Sequence, residues 1–472
     1  MAALQEIPVA PAPPERFRPV IGADYAQIEA AIQTAARVLE GRAIWHVNST
    51  ARGGGVAEML QSLLAYARGA GVDVRWLTIG GTPDFFRITK RLHNRLHGAP
   101  GDGGELGDAE RAVFEDTLRD AAEELRELVR PGDIVYLHDP QPAPLARLLD
   151  HEDIAYVWRC HVGVDGPNDL ARSAWDFLLP YVQGADACIF SRREFVWAGL
   201  DPDRIWIVPP SIDAFSPKNQ DMPAASARAI LATIGLGQDG GDAPVFRRQD
   251  GSVSRVNRQA QIDQDERIPH EAPVVAQVSR WDRLKDPAGV IRCFAEHSRH
   301  PSARLLLAGP SVAEVADDPE GIEVLEEVRR QRLGLPAAVR RRVHLACLPM
   351  DDVSENAAMV NAVQRRADVV LQKSLAEGFG LTVAEAMWKA RPVVASRVGG
   401  IQDQIVDGES GVLVDPADLA GVGAAIEALL GDPGAAGRMG LAAKERVRER
   451  FLGSRHLVQY MREIDRLLQA LA

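Results

Sequence analysis

The sequence predicts an α/β protein built as two doubly wound parallel sheets in tandem. Three observations carry this reading. Short Val/Ile/Leu-rich runs alternate with amphipathic helical patterns along most of the chain, the runs end in glycine or polar turns, and 472 residues are too many for one ordinary core. The runs are apolar throughout rather than at alternate positions, which marks strands covered by helices on both faces.

Taken in order, a Pro/Ala-rich leader precedes a helical pattern over residues 24–40, and Ala43–Val47 reads as a buried strand. Gly53, Gly54 and Gly55 follow it, within HVNSTARGGGVAEML. From Val56 the apolar positions Met59, Leu60, Leu63, Leu64 and Ala67 fall on one face of a helix ending near Gly69. VDVRWLTI, an acidic helix around 108–129, DIVYLHD, a helix from about 142, AYVWRCH and ACIFSR complete a first Rossmann-like alternation. IWIVPPSIDAFSPKN closes it, so the first domain is expected to span 1–215 and the second 216–452.

The second alternation runs PVVAQVSR, a helix to about 299, ARLLLAGP, a long helix through 333, RVHLACL, DVVLQKS, PVVASRVGG and GVLVDP. A last helix over 453–471 follows the completed second domain and is expected to cross back to the first. Residues 237–266 interrupt the rhythm. There Asp250-Gly251, between VFRRQ and SVSRV, signals a protruding hairpin with a two-residue turn, a flexible loop being the alternative.

Composition excludes several functions. Hydrophobic residues at 46 % and charged residues at 25 % are those of a globular enzyme, and a net charge of −12 argues against nucleic acid or an anionic membrane as partner. Arg340-Arg341-Arg342 and Gln364-Arg365-Arg366 read as solvated helix faces. Cys160, Cys188, Cys293 and Cys347 show no metal or disulfide spacing. With neither an export signal nor a membrane-length apolar run, a cytoplasmic protein is expected.

Ligands of open α/β sheets bind outside the carboxyl ends of the strands, so the residues just after each strand matter. The glycine run can admit an anion to a helix N-terminus or can be a plain tight turn; it matches neither GxGxxG nor the P-loop. His138-Asp139-Pro140-Gln141 and Arg159-Cys160-His161 can bond sugar hydroxyls or be structural. Arg280 and Lys285 can clamp a diphosphate, or pair with Asp282 or Asp286. Glu377 and Glu385, flanking Gly378, Phe379, Gly380, Leu381 and Thr382, can grip two hydroxylated ends of one ligand. Thr382-x-x-Glu385 is equally the spacing of a capping box. Val398-Gly399-Gly400-Ile401 repeats the glycine theme, and Asp201-Pro202-Asp203 is most simply a turn rather than a metal site.

In this order the residues resemble a retaining GT-B glycosyltransferase of the large family that includes glycogen synthases, sucrose synthases and mannosyltransferases. Its signature E-x7-E corresponds to Glu377 and Glu385. HVNSTARGGGVAEML, GGTPDFFRITKRLHNRLHG, LHDPQPAPL, PPSIDAFSPKN and EGFGLTVAEAMWKARPVVAS resemble more closely the trehalose glycosyltransferring synthases. Retaining trehalose phosphorylases share the framework but are considerably longer. The resemblance implies a GT-B architecture, two Rossmann-like domains facing across a cleft, and transfer of glucose from ADP-, UDP- or GDP-glucose to free glucose. It implies that Arg280 and Lys285 hold the diphosphate and that Glu385 holds the ribose. Glu377 and the amides of Gly378, Phe379 and Gly380 are then expected to bind the donor glucose, and Leu381 and Thr382 the phosphate. His161 matches the family's active-site histidine, and Gly54 and Gly55 are expected near the phosphates. Asp139 and Gln141 are the acceptor candidates. No cofactor or metal is expected to be required, magnesium acting at most as a non-essential stimulant, and a homodimer stays open. A trehalose phosphorylase, another glycosyltransferase of the family and a non-enzymatic sugar-nucleotide-binding regulator are the alternatives.

Overall fold

The structure, a computed structural model, describes residues 3–51, 54–149, 153–237, 243–312 and 319–471. Gly53 of the glycine run and residues 238–242 of the interrupting segment lie outside the described residues. The chain divides into two units, Met1–Ser211 with Gly453–Ala472, and Ile212–Leu452.

The first unit is built on a seven-stranded sheet in the order β1-β3-β2-β4-β5-β6-β7. Its strands are β1 (Leu4–Glu6), β2 (Ile44–Asn48), β3 (Val74–Ile79), β4 (Ile134–His138), β5 (Ala155–Cys160), β6 (Ala187–Phe190) and β7 (Ile205–Ile207). Every residue of β2, β4 and β6 is buried, as expected where helices cover both faces. The core joins Val47, Leu77, Phe85, Phe114, Leu125, Leu137, Trp158, Phe177 and Phe190. The last helix, Gly453–Leu471, packs in this unit along the helix Tyr25–Val38 and buries Leu457, Tyr460, Met461, Ile464 and Leu467.

The second unit carries the hairpin β8 (Val245–Arg247) and β9 (Val253–Arg255). Its main sheet is formed by β10 (Gln261–Asp263), β11 (Val274–Val278), β12 (Arg304–Pro310), β13 (Val343–Leu348), β14 (Val369–Gln372), β15 (Val393–Ser396) and β16 (Val412–Val414). The strand order is β10-β13-β12-β11-β14-β15-β16. Without β10, the chain order of these strands is the dinucleotide-fold order 3-2-1-4-5-6, and the first sheet without β1 reads 2-1-3-4-5-6. The topological switch points therefore fall between β2 and β4 in one unit and between β11 and β14 in the other.

Several expectations need correction. The sheets are not wholly parallel: β1, inside the Pro/Ala-rich leader, pairs antiparallel with β3, and β10 pairs antiparallel with β13. Three-residue edge strands give no periodicity to read. The acidic helix over 108–129 is two helices, Asp108–Asp116 and Arg119–Leu128. The hairpin turn is one residue longer than expected. Arg248 N–H donates to Ser252 O, Gly251 N–H to Arg248 O, and Gly251 alone takes a positive φ, of 87°, which is a type I turn with a glycine bulge. Gln364-Arg365-Arg366 is no solvated face. Gln364 is fully buried, Arg365 donates to the Gln220 carbonyl and Arg366 to those of His270 and Ala272.

Candidate functional site

In the first unit, the helix Gly55–Gly69 starts directly after β2 with Gly54 as its N-cap. Gly54 is extended, at φ −151°, and a Cβ built on it meets no atom within 4 Å. Neither backbone conformation nor packing among the described residues requires a glycine there. Across the switch point, β4 ends in His138, and Asp139 turns the chain with φ 65°, a left-handed conformation that Asp tolerates better than most residues.

The turn is braced by its own groups. Asp139 N–H donates to the Arg159 carbonyl at 2.8 Å, Trp158 Nε1 donates to the Asp139 carbonyl at 3.1 Å, and the Asp139 carboxylate accepts the His161 N–H at 2.7 Å. Burial lifts the Asp139 carboxyl to about 7, opposed by the His161 N–H and by Arg159. Asp139, Gln141 and His161 are all partly exposed at this edge, and His161 Nε2 lies 3.4 Å from His138 Nδ1. Asp139 and His161 thus form one braced corner, with Gln141 two residues along the same turn.

In the second unit, Arg280 and Lys285 follow β11, and Glu377 to Thr382 follow its neighbour β14. Leu375 N–H donates to the Leu284 carbonyl at 2.7 Å and ties the two loops together. Lys285 Nζ stands 2.5 Å from Glu377 Oε2, with both side chains mostly buried. The partner of Lys285 is therefore the carboxylate of the signature, not Asp286. Asp286 instead binds the buried Lys373 and caps the helix Pro287–His297. Arg280 does pair with Asp282, at 3.2 Å, and its side chain is 43 % exposed, so it can reach a ligand.

A buried polar relay, which the sequence reading missed, holds Glu377 from behind. Thr382 Oγ1 donates to Gln372 Oε1, Gln372 Nε2 to Ser374 Oγ, and Ser374 Oγ to Glu377 Oε2, at 3.0, 3.0 and 3.2 Å. Its one signal was the polar end of the apolar strand VVLQKS. This use of Thr382 also removes the capping-box reading. The helix Leu381–Trp388 is capped by Gly380 at φ 86°, so Thr382 is its second residue and Glu385 its fifth, beyond the first turn. Glu385 is buried instead, 3.6 Å from Lys218 Nζ and 3.4 Å from Gln364 Nε2. Beneath it, burial lowers the Lys389 ammonium to about 7, and Lys389 donates to Asn219 Oδ1 and the Glu385 carbonyl.

The Gly399-Gly400 turn explains how the loop Gly378–Gly380 keeps its shape. Gly400 N–H donates to the Gly378 carbonyl, and Gln404 Nε2 donates to the Phe379 and Gly380 carbonyls at 2.5 and 3.2 Å. A Cβ at Gly400 meets the Gly378 carbonyl oxygen and the Phe379 Cα at 2.7 Å. With those carbonyls engaged behind the loop, the amides of Leu381 and Thr382 head a helix whose N-terminus favours an anion. Asp201-Pro202-Asp203 is a turn in which the Asp201 side chain accepts the Asp203 N–H. Among the described residues no three His, Cys, Asp or Glu side chains group to hold a metal ion.

Comparisons with known proteins match each of the two units. A family model described as "Trehalose synthase, N-terminal domain" matches residues 46–197, and one described as "Glycosyl transferases group 1" matches residues 258–446. The chain is 37 % identical to the trehalose synthase of Rubrobacter xylanophilus, over 93 % of each chain. It is 26 % identical to the trehalose phosphorylase of Pleurotus sajor-caju, over 86 % of this chain but 55 % of that one. Among solved structures, the α,α-trehalose-phosphate synthase from Burkholderia xenovorans, in complex with glucose-6-phosphate, superposes with a TM-score of 0.66. It is 16 % identical, and the match covers 90 % of this chain and all of that one, a shared GT-B fold.

Proposed function

The chain belongs to the trehalose synthase family of glycosyltransferases, and on that premise we propose that it transfers glucose from a nucleoside-diphosphate glucose to free glucose, forming α,α-trehalose. The observation that carries the donor class is the meeting of Lys285 with Glu377 at 2.5 Å, at the foot of a helix N-terminus. A cation beside a carboxylate suits a ligand that is anionic at one end and hydroxylated at the other, as a sugar diphosphate is.

In this reading Arg280 and Lys285 take the diphosphate, Arg280 by forked hydrogen bonds and Lys285 as a point charge. The amides of Leu381 and Thr382 add the helix end, and Gly54 and Gly55 leave room for phosphate. Glu377, held by Ser374 and Gln372, accepts from hydroxyls of the donor glucose beside the amides of Gly378, Phe379 and Gly380. Glu385, fixed between Lys218 and Gln364, accepts from the ribose. Asp139 and Gln141 serve the acceptor, and His161 acts beside them as the active-site histidine.

The bond from the glucose anomeric carbon to the phosphate oxygen breaks as the acceptor hydroxyl attacks the same face. The departing phosphate oxygen takes the acceptor's proton, so configuration is retained without a protein nucleophile. Arg280, Lys285 and the helix end stabilise the charge that develops on phosphate, and positioning supplies the rest. Neither a metal nor another cofactor is needed for these steps, and we place the reaction in the cytoplasm. Incubating the protein with trehalose plus ADP or UDP, against trehalose plus phosphate, tests the reading. Sugar nucleotide forming only in the first supports it, and glucose 1-phosphate forming only in the second makes the protein a phosphorylase.

A further inference from the structure

The carboxyl edge of the first sheet holds a row of side chains of which the transferase reading uses only the outermost, His161. His46 on β2, His138 on β4 and His161 just beyond β5 stand on adjacent strands, their rings stacked at 5.2 and 5.7 Å. The row continues inward to Tyr460 on the last helix. Tyr460 OH is 2.7 Å from His46 Nε2, His46 Nδ1 is 3.0 Å from His138 Nε2, and His138 Nδ1 is 3.4 Å from His161 Nε2. His46, His138 and Tyr460 are buried, and His161 reaches the partly exposed edge.

A neutral imidazole carries one N–H, so only two polarities keep every link of this row bonded. In the first, Tyr460 O–H donates to His46, each ring donates from Nδ1 to the next, and His161 is left with its N–H on Nδ1. In the second every link reverses, Tyr460 becomes an acceptor, and its own hydroxyl proton has nowhere to go. Among the described residues the Tyr460 oxygen has no hydrogen-bond partner but His46. A buried hydroxyl left without an acceptor is disfavoured by roughly tenfold or more in population. An imidazolium would donate from both nitrogens and lift the restriction, but burial and Arg159 hold His46 down to about 3. Burial, with Arg159 nearby, likewise holds His138 and His161 well below the ordinary histidine value.

We propose that Tyr460, acting through His46 and His138, fixes His161 as its Nδ1–H tautomer, so that this edge offers a ligand oxygen a neutral hydrogen-bond donor. The oxygen is that of a sugar hydroxyl or a phosphate, both of which accept. Tyr460, His46 and His138 are positioning residues. The tautomer itself follows from the row alone; its use in catalysis rests on the transferase reading of His161.

Long-range 1H–15N spectra of the full chain labelled with 15N-histidine at pH 7 test this, His161 being assigned by the signals lost in His161→Gln. The expected result is pyrrole-type Nδ1 and pyridine-type Nε2 at His161. In Tyr460→Phe, which keeps the ring and removes the donor, His161 shifts toward the Nε2–H form that a free imidazole side chain favours. Turnover with the glucosyl donor then falls about tenfold while KM changes little. Nε2–H at His161 in the wild type, or an undiminished Nδ1–H form in Tyr460→Phe, overturns the proposal. A shifted tautomer with full turnover overturns its catalytic use. Absence of glucosyl transfer by the wild type defeats the transferase reading and leaves the tautomer result standing.

Discussion

The two units place their candidate residues at equivalent points of similar sheets, yet furnish them with opposite chemistry. At the β11/β14 switch point the groups are charged and paired: Lys285 with Glu377, Lys373 with Asp286, and beyond them Lys218 with Glu385. At the β2/β4 switch point the groups carry less charge: a stacked row of histidines held uncharged, a carboxyl raised by burial to about 7 and an N-cap without a side chain. Fold position thus marks where a ligand can sit in each unit, while local charge decides which chemical groups suit that place. A charged edge suits phosphate, and a neutral edge of donors and acceptors suits hydroxyls.

The largest test of this contrast removes the charge. Lys285→Ala takes away the cation proposed to face the leaving phosphate and leaves Glu377 with the Ser374 hydroxyl but without its ion pair. Turnover should fall by about 10²–10³, as on loss of one preorganised transition-state contact. Initial rates with saturating sugar nucleotide check this, and circular dichroism should show the fold kept.

Next in size is Gly400→Ala, which forces a methyl against the Gly378 carbonyl at 2.7 Å. Overpacking of this kind costs about 1–3 kcal/mol, so the second unit should unfold at lower urea, and turnover should fall because the loop Gly378–Gly380 must shift. Gly54→Ser separates stability from function. Serine is a preferred N-cap and should hold or raise stability by a few tenths of a kcal/mol, while its side chain enters the space beside the helix start and lowers turnover about tenfold. Loss of both stability and turnover would make Gly54 a structural glycine.

The smallest effect is on pH dependence, and it belongs to the neutral edge. His456 is fully buried beside Arg159, 3.0 Å from its Nη1, and burial holds it well below its ordinary value. Below about pH 6.5 the unfolded chain binds a proton that this residue refuses when folded, so its contribution to stability is lost as pH falls. Burial raises Asp139 and Glu463 to about 7, and those two act oppositely, costing stability as pH rises from about 4 toward 7. The urea-unfolding free energy of His456→Gln should therefore fall less steeply between pH 6.5 and 5 than that of the wild type.

Much of this contrast was legible in the sequence. The long apolar strands, the glycine turns and the E-x7-E spacing are local features, and they led to the right sheets. The antiparallel edges β1 and β10 were not legible, because three residues paired with a distant strand carry no periodicity. Nor was the partner of Lys285, since Asp286 is adjacent in sequence while Glu377 is 92 residues away. Only the pairing of β11 with β14 brings those loops together. His46 lay inside IWHVN as an ordinary polar residue in an apolar run, and Tyr460 inside an amphipathic helix. Their connection required the last helix to pack into the first unit.

As proposed, the charged edge binds a nucleoside-diphosphate glucose and the neutral edge serves the glucose that receives the transferred unit. Incubation of the protein with ADP-, UDP- or GDP-glucose and 13C-labelled glucose, followed by NMR of the anomeric signals, tests it most directly. Labelled α,α-trehalose should form from at least one donor, with one nucleoside diphosphate released per disaccharide. No labelled trehalose from any of the three, with trehalose and phosphate yielding glucose 1-phosphate instead, would contradict it.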